Sequence, residues 1–251
     1  RREHGTNAML LAACLGDVPV MRALLECRAK VDSKEGRDDP AFVVHRGRQP
    51  VHWAARYGHI SALSFLLDRR ADVDARDRIG GTPLHVATAI KRPDKVQVAR
   101  MLIERRADIN ARNKIGSRAL DFCAVFHFPE LASFLLASRA AVDASLDGLG
   151  PLHHTAAFGS SIDMCRLLLE AKASVNDKFQ PRKLSPIGLV VRVFALAYRL
   201  GNRSFFSLLG HHITGATPLH WAVMFGSLQQ ARLMMCCQAD PTLCNEFGAS
   251  A

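Results

Sequence analysis

The sequence predicts an all-α fold built as a stack of repeated helical units, and two observations carry this prediction. The first is a phrase, Gly81-Thr82-Pro83-Leu84-His85, that returns almost unchanged at Ala216-Thr217-Pro218-Leu219-His220. The second is its spacing, because the copies that begin at residues 49 and 82 are 33 residues apart. A fixed period of this length is typical of repeat proteins, in which each unit buries its apolar face against its neighbours.

The phrase has the chemistry of a helix start. Thr82 can cap free backbone N–H groups, and Pro83 fits the first helical position, where its missing N–H costs nothing. Leu84 then points inward, and His85 is placed to hydrogen-bond to the backbone of the neighbouring unit. More divergent copies of the phrase begin at residues 7, 49, 118 and 150.

Composition restricts the class of protein. The chain has 251 residues, of which 49% are hydrophobic, so it can form a sizeable core and is not disordered. Its seven cysteines are odd in number and form no Cys-x-x-Cys pair, which argues against a disulfide framework. The start of the sequence shows no signal-peptide pattern. We therefore expect an intracellular protein, cytoplasmic or nuclear.

The net charge of +10 is unevenly distributed. Residues 1–116 contain 22 Lys/Arg and 14 Asp/Glu, whereas the rest of the chain contains 11 and 9. A basic half can serve an acidic protein partner, nucleic acid or an anionic membrane surface. The basic residues form no long run, which argues against nucleic acid as the partner.

The copies of the phrase divide the chain into units. We expect repeats near 7–34, 49–81, 82–117, 118–149, 150–182 and 217–248. The polar stretch at 35–48 exceeds the period and is expected to be an extended loop. Because the last residues resemble the beginning of another unit, we expect the sequence to be a fragment of a longer protein.

Residues 183–216 depart from the pattern. Ser185-Pro186 could begin a unit, and the apolar stretch that follows carries Arg192 and Arg199 on one helix face. This stretch is too interrupted to span a membrane. The segment is interpreted as a degenerate repeat, with an insertion foreign to the array as the alternative.

A Thr-Pro-Leu-His phrase with a period near 33 resembles the ankyrin repeat. The resemblance covers nearly the whole chain, except the loop near 31–48 and the stretch 180–215. It implies a solenoid of stacked helix–turn–helix units with projecting hairpin fingers. It also implies a protein-interaction module whose partner lies in a concave groove lined by the finger tips and the first helices.

Two groups of residues are candidates for this groove. One group follows the small residues of each first helix, and the other lies at the finger tips. Burial within the stack is the alternative for the first group, and simple solvation for the second. We expect a monomer that binds an acidic segment with apolar anchors. The first-helix candidates are Arg56, Tyr57, Ile90, Phe126 and Phe158, and the finger candidates are Arg76, Arg78, Ile79, Arg112, Lys114 and Ile115, with Lys178 and Phe179 on a later finger.

The sequence contains no sign of catalysis. The repeated His52, His85, His153 and His220 occur once per unit and are not paired with other ligands at metal-binding spacing. No phosphate-binding loop, nucleophile elbow or paired carboxylates occur. We therefore expect no enzyme activity, metal or cofactor. The alternative is the regulatory or targeting arm of a larger enzyme whose catalytic domain lies outside this sequence.

One modification site is suggested by resemblance. Leu102 precedes Asn110 by eight residues, and Asp108 and Ile109 lie immediately before the asparagine. This arrangement resembles the consensus of the asparaginyl hydroxylase that acts on ankyrin fingers, with Asn176 as a looser match. The alternative is that Asn110 only stabilises its own turn by hydrogen bonding.

Overall fold

The computed structural model describes residues 8–34, 47–89, 93–143, 149–158, 161–180, 213–246 and 248–251. Within these ranges the regular elements are helices, and the only strand-like feature is an isolated bridge between Cys244 and Ser250. This confirms the predicted all-α class. The chain divides into two compact units, Arg1–Lys114 (unit 1) and Ile115–Ala251 (unit 2). Most of the expected loop at 35–48 lies outside the described residues.

Unit 1 is a stack of three helix pairs. The first helices of the pairs pack side by side, α1 on α3 and α3 on α5, and the second helices form a parallel row, α2 on α4 and α4 on α6. The helices are α1 Ala8–Leu15, α2 Val18–Glu26, α3 Pro50–Tyr57, α4 Ile60–Asp68, α5 Pro83–Thr88 and α6 Lys95–Glu104.

Unit 2 repeats this arrangement. Here α7 packs on α9 and α9 on α11 among the first helices, while α8 packs on α10 and α10 on α12 among the second. The helices are α7 Ala119–Phe126, α8 Pro129–Ala137, α9 Pro151–Ala157, α10 Ile162–Glu170, α11 Pro218–Met224 and α12 Leu228–Cys236.

Small side chains allow neighbouring first helices to approach closely. Ala13 of α1 and Ala54 of α3 are fully buried, and Ala55 is 2% exposed. A larger side chain at these positions would separate the helices, and such overpacking costs about 1–3 kcal/mol. The long apolar side chains of the second helices, such as Leu66, complete the core and are also fully buried.

Within each unit, a histidine of the phrase links one helix pair to the next, His52 in unit 1 and His153 in unit 2. His52 Nδ1 accepts a hydrogen bond from the N–H of Gln49, just before the helix, at 3.1 Å. Its Nε2 lies 3.2 Å from the carbonyl oxygen of Gly81, at the start of the next pair. In unit 2, His153 Nε2 bonds in the same way to Ala216 O at 3.4 Å. The predicted structural role of these histidines is confirmed.

A finger connects one helix pair to the next, and its turn is closed by backbone hydrogen bonds. In the finger at 72–81, Asp77 N–H donates to Gly81 O at 3.0 Å, and Gly80 N–H donates to Asp77 O at 2.9 Å. The Asp77 carboxylate also accepts from Ile79 N–H at 3.1 Å and from Gly81 N–H at 2.7 Å. The buried Arg48 guanidinium lies 3.4 Å from the same carboxylate. The side chain of Asp77 therefore fixes the finger from its base.

The helix pair α7–α8 keeps this geometry although its sequence has diverged. Asp121 stands at the histidine position, and its carboxylate accepts from Arg118 N–H at 2.8 Å. His127 stands where α1, α3 and α11 are followed by glycine, and it has a φ of 62°. Acceptor placement and backbone conformation are therefore retained with different residues.

The pair α9–α10 packs directly on α11–α12, although residues 181–212 lie between them in sequence. Phe179 N–H donates to Ala216 O at 2.9 Å, and Gly215 N–H donates to Phe179 O at 2.7 Å. These are the two bonds that close the turn at Asp77, with Phe179 in the place of Asp77. The described contacts thus bring the two ends of the anomalous segment together at a finger turn, while residues 183–212 themselves lie outside the described part.

Phe179 corrects one expectation. The sequence places it at a solvent-facing finger tip, but it is only 1% exposed and packs edge-on against Trp221, with ring centroids 5.9 Å apart. The reason is its register, because the side chain at the Asp77 position turns into the base of the finger. Lys178, next to it, is exposed as expected, and its Nζ donates to Cys244 O at 3.0 Å.

Candidate protein-binding surface

The first-helix candidates of unit 1 surround Trp53. The Tyr57 ring stacks on Trp53 with a centroid distance of 5.9 Å, and the Arg56 guanidinium lies 5.8 Å from the Trp53 centroid. Both Arg56 and Tyr57 are half-buried. The Nε–H of Arg56 is buried and has no hydrogen-bond acceptor in the part of the chain that the structure describes. Arg56 is therefore held against an aromatic face, while its Nε–H stays unpaired within the described residues.

The fingers of unit 1 are tied to each other. Arg76 donates to Arg112 O at 2.8 Å, and Lys114 N–H donates to Ile79 O at 2.9 Å. Arg76 therefore contributes to the finger framework, and Arg112 is half-buried beside it. Both bonds run between successive fingers, so the two turns form one continuous framework.

The outermost side chains on this framework form what we call the finger edge, defined as Arg78, Ile79 and Lys114. All three are exposed, and Ile79 is 44% exposed. Within the described residues neither Arg78 nor Lys114 forms an ion pair. The finger edge thus presents two uncompensated cations beside an apolar side chain.

In unit 2 the candidate apolar residues are also exposed. Phe126 is 43% exposed and Phe158 56%, and Ile115 is 48% exposed. Each phenylalanine rests on aromatic neighbours of its own repeat, Phe126 on Phe122 at 6.2 Å and Phe158 on His154 at 6.3 Å. Each phenylalanine ring thus packs against an aromatic neighbour on one side and is exposed to solvent on the other. Ile90, the remaining candidate, lies outside the described residues.

Three buried histidines of the stack, His52, His153 and His154, are neutral at neutral pH. Burial lowers the pKa of His52 to about 4 and, together with the neighbouring His154, lowers that of His153 to about 3. Burial also lowers the pKa of His154 to about 4. Across the described ranges, no group of three His, Cys, Asp or Glu side chains is arranged to hold a metal ion. The ring nitrogens of His52 are instead engaged by backbone groups.

Asn110 is half-buried in the second finger, and its N–H donates to the Asp108 carboxylate at 2.9 Å. The equivalent Asn176 bonds across repeats, since its Oδ1 accepts from Asp240 N–H at 2.9 Å. The Asn176 side chain and the Asn110 backbone therefore belong to the hydrogen-bond network of the fingers. Hydroxylation of Asn110 stays a prediction.

Comparison with protein families identifies the array. The family model for ankyrin repeats in three copies matches residues 10–113 and 88–179, and the model for a single ankyrin repeat matches residues 214–246. The chain belongs to the ankyrin repeat family. Ankyrin repeats generally mediate protein–protein interaction, and members of the family are typically non-catalytic.

Two relatives share part of the array. A transient receptor potential cation channel subfamily A member 1 homolog of Caenorhabditis elegans is 35% identical over 68 residues, which cover 27% of this chain and 5% of the channel. The NF-kappa-B inhibitor cactus of Drosophila melanogaster is 31% identical over 109 residues, which cover 35% of this chain and 22% of cactus. The chain thus spans only a small part of these relatives.

Two solved ankyrin repeat domains share the fold. One, from Acinetobacter baumannii AYE, has a TM-score of 0.65 at 21% identity and covers 92% of this chain and 98% of its own. The other, the domain of Bcl-3, a member of the IkappaB protein family, has a TM-score of 0.70 at 23% identity, with 99% and 93% covered. Both confirm the predicted ankyrin solenoid. No helix in the described ranges of this ankyrin repeat chain is long and apolar enough to cross a membrane.

One recurring feature of the repeats was missed by the sequence analysis. An alanine recurs after each described second helix, and the residue before it adopts a left-handed backbone; in most repeats that residue is Arg or Lys. The signal was readable, because the pair Arg-Ala or Lys-Ala returns once per repeat.

Proposed function

We propose that this chain is a non-catalytic protein-interaction module whose unit 1 binds an acidic partner segment with an apolar anchor at the finger edge. The observation that carries the proposal is the backbone bond from Lys114 to Ile79 at 2.9 Å, which joins two fingers into one edge. Because the edge is already ordered, little conformational entropy is lost when a partner binds. The exposed Ile79 then offers an apolar contact between two cations.

Charge supports an acidic partner. Arg78 and Lys114 are exposed at the finger edge, whereas Asp77 is buried at the finger base against Arg48. At the turn of this finger the carboxylate of Asp77 is therefore at the base, and the two cations are outermost. Complementary charge of this kind raises the association rate and favours one class of partner over another.

First-helix residues complete the proposed surface. In ankyrin proteins the groove is lined by first helices together with finger tips, which would place Arg56 and Tyr57 beside the finger edge. A carboxylate of the partner can pair with the guanidinium of the half-buried Arg56, and such charge-assisted bonds are about twice as strong as neutral ones. In unit 2, the exposed rings of Phe126 and Phe158 and the side chain of Ile115 are proposed as apolar contacts.

The relatives are compatible with this proposal. The name of cactus describes an inhibitor of NF-kappa-B, and cactus is 31% identical to this ankyrin repeat chain over 109 residues. We extend to the present chain only the general property of binding a protein. We propose that it acts as a monomer.

The test uses a partner recovered by pull-down from the source cell and then purified. Arg78→Glu with Lys114→Glu should slow association at least about tenfold at low salt and flatten its salt dependence, because long-range attraction is lost. Ile79→Ala should mainly speed dissociation, by a factor that corresponds to about 1–2 kcal/mol if Ile79 is an anchor.

Matched controls are available within unit 1. Val20 is as exposed as Ile79, at 44%, but lies on the second helix α2, so Val20→Ala should leave binding unchanged. Lys30→Glu with Lys34→Glu changes the net charge as much as the finger variant does. If the finger variants bind the partner as well as these controls do, the proposed surface is wrong.

A further inference from the structure

A left-handed residue ends the second helix of each described repeat, and none of these residues is glycine. Their φ angles lie between 61° and 67°, a region that residues other than glycine, asparagine and aspartate seldom enter. Five of the six are cationic. They are Arg28, Arg70, Arg106, Arg139, Lys172 and Gln238.

The same chain uses glycine at the corresponding place after the first helix. Gly16, Gly58 and Gly226 have φ angles of 73°, 73° and 72°. A side chain at Gly16 would meet the ring of His59 at 2.7 Å, but one at Gly226 would meet nothing within 4 Å. Gly226 therefore relieves backbone strain where space would have permitted a side chain. At the ends of the second helices the left-handed position is instead occupied by a residue with a side chain, in most repeats Arg or Lys, so the backbone strain remains.

The cations have no partner that would explain them. Arg28, Arg70 and Arg106 are exposed, and in the described part of unit 1 none of them forms an ion pair or a side-chain hydrogen bond. Their neighbours are engaged, since Arg69 lies over the Phe65 ring at 5.0 Å and Arg105 pairs with Asp68 at 2.8 Å. A cation near a helix C-terminus gains from the helix dipole, but at exposed sites this gain is smaller than the cost of the left-handed backbone.

We propose that Arg28, Arg70 and Arg106 form a second docking surface, the left-handed row, for an extended acidic polypeptide. The row follows the ends of α2, α4 and α6, which pack side by side. Neighbouring helices pack about 8–10 Å apart. An extended chain advances about 3.3 Å per residue, so carboxylates at every third residue match the spacing of the row.

Carboxylates near the left-handed row favour an acidic peptide over duplex DNA as its partner. Asp72 and Asp108 are exposed two residues after Arg70 and Arg106. Duplex DNA carries about one charge per 1.7 Å and would bring phosphates against these carboxylates. A peptide whose acidic residues are spaced apart can place its uncharged residues beside Asp72 and Asp108. The row therefore fits an acidic peptide better than a nucleic acid, and it is independent of the finger edge.

The test measures binding of a labelled peptide of Glu-Pro-Pro repeats to the full chain at low salt. Such a peptide adopts an extended helix with three residues per turn and about 3.1 Å per residue, which presents one glutamate about every 9 Å. The test variant is Arg28→Gly with Arg70→Gly and Arg106→Gly. Glycine suits the left-handed backbone, so this variant should unfold at a temperature no lower than that of the parent protein. Lost binding would then not reflect misfolding.

We expect the glycine variant to bind the peptide about tenfold more weakly than the parent, from three exposed ion pairs. The control variant Lys30→Gln, Lys34→Gln and Arg166→Gln removes the same charge and should stay within about twofold of the parent. Equal binding by the glycine and control variants would overturn the proposal, as would parent protein that binds a DNA duplex of equal charge more tightly than the peptide. A lower unfolding temperature of the glycine variant would overturn the strain argument. Unchanged peptide binding by the Arg78→Glu, Lys114→Glu variant would separate the left-handed row from the finger edge.

Discussion

The direct stacking of α9–α10 on α11–α12 predicts that the segment between them can be removed. In the finger at 72–81, three residues separate Asp77 from Gly81, whereas thirty-six residues, 180–215, separate Phe179 from Ala216. The difference is one repeat period. Replacing residues 180–214 with Arg-Ile, the pair found before Gly80, should restore a short turn with Gly215 in its place.

The expected gain in stability follows from chain entropy. Closing a connection of three residues instead of thirty-six favours the folded state by about 2 kcal/mol, because the cost of loop closure grows with the logarithm of loop length. Gly215 already has a φ of 75°, close to the 77° of Gly80, so the short turn requires no new backbone conformation. We therefore expect the midpoint of thermal unfolding to rise by about 4–8 °C.

Urea denaturation of the parent and the shortened variant measures this gain. A third variant, in which a Gly-Ser linker of equal length replaces residues 180–214, serves as the control and should match the parent within about 1 kcal/mol. Loss of more than about 2 kcal/mol in the shortened variant would refute the reasoning. It would mean that the segment packs as a repeat between α9–α10 and α11–α12.

Four further outcomes are expected. Arg70→Gly should raise the free energy of unfolding by about 1 kcal/mol in urea titrations, since glycine removes left-handed strain. Stability should fall as the pH drops below about 6.5, by about 2 kcal/mol at pH 5 from His52 alone, because the unfolded state binds the proton that the buried ring rejects; His52→Gln should reduce this slope. Asp77→Ala should cost about 3–5 kcal/mol, because it leaves the buried Arg48 guanidinium without its carboxylate and removes the acceptor of two backbone N–H groups. Intact-mass analysis of cell-derived protein should show added oxygen on the peptide that contains Asn110, and its absence would remove the hydroxylation hypothesis.

The repeated phrase was sufficient to predict the helix pairs and the role of their histidines. The role of His52 was predictable because both of its hydrogen-bond partners have a known place in the sequence. Nδ1 bonds to Gln49, three residues earlier, and Nε2 bonds to Gly81, which lies at the start of the next repeat. In a repeat array, each unit packs against the unit that follows it in sequence, so the contacts of one unit predict those of the next. The divergent Asp121 shows the limit, since its capping role is evident only from the bond to Arg118.

The finger surface was less predictable, because the direction of a side chain depends on its exact place in the turn. Arg76 and Arg78 are two residues apart and both are exposed, yet within the described residues Arg76 bonds to the next finger and Arg78 does not. The sequence predicts Phe179 at a tip, but its side chain is buried at the base. Periodicity fixes the spacing of units, whereas a one-residue shift within a tight turn exchanges its inner and outer faces.

The exposure of apolar side chains on the first helices could not be decided from the sequence alone. Leu15, Phe126 and Phe158 are exposed, whereas Tyr57 at the same repeat position is half-buried against Trp53. All four are large and apolar, so composition does not distinguish them. The difference arises from the neighbouring side chains, which vary from one repeat to the next.

Hydrogen–deuterium exchange of unit 1 with and without a purified partner tests the proposed binding at the finger edge most directly. The account predicts slower exchange at the backbone amides of residues 76–80 and 112–114 in the complex, while α2 around Val20 exchanges as in the free protein. Slower exchange confined to the second helices, with the two fingers unchanged, would contradict it.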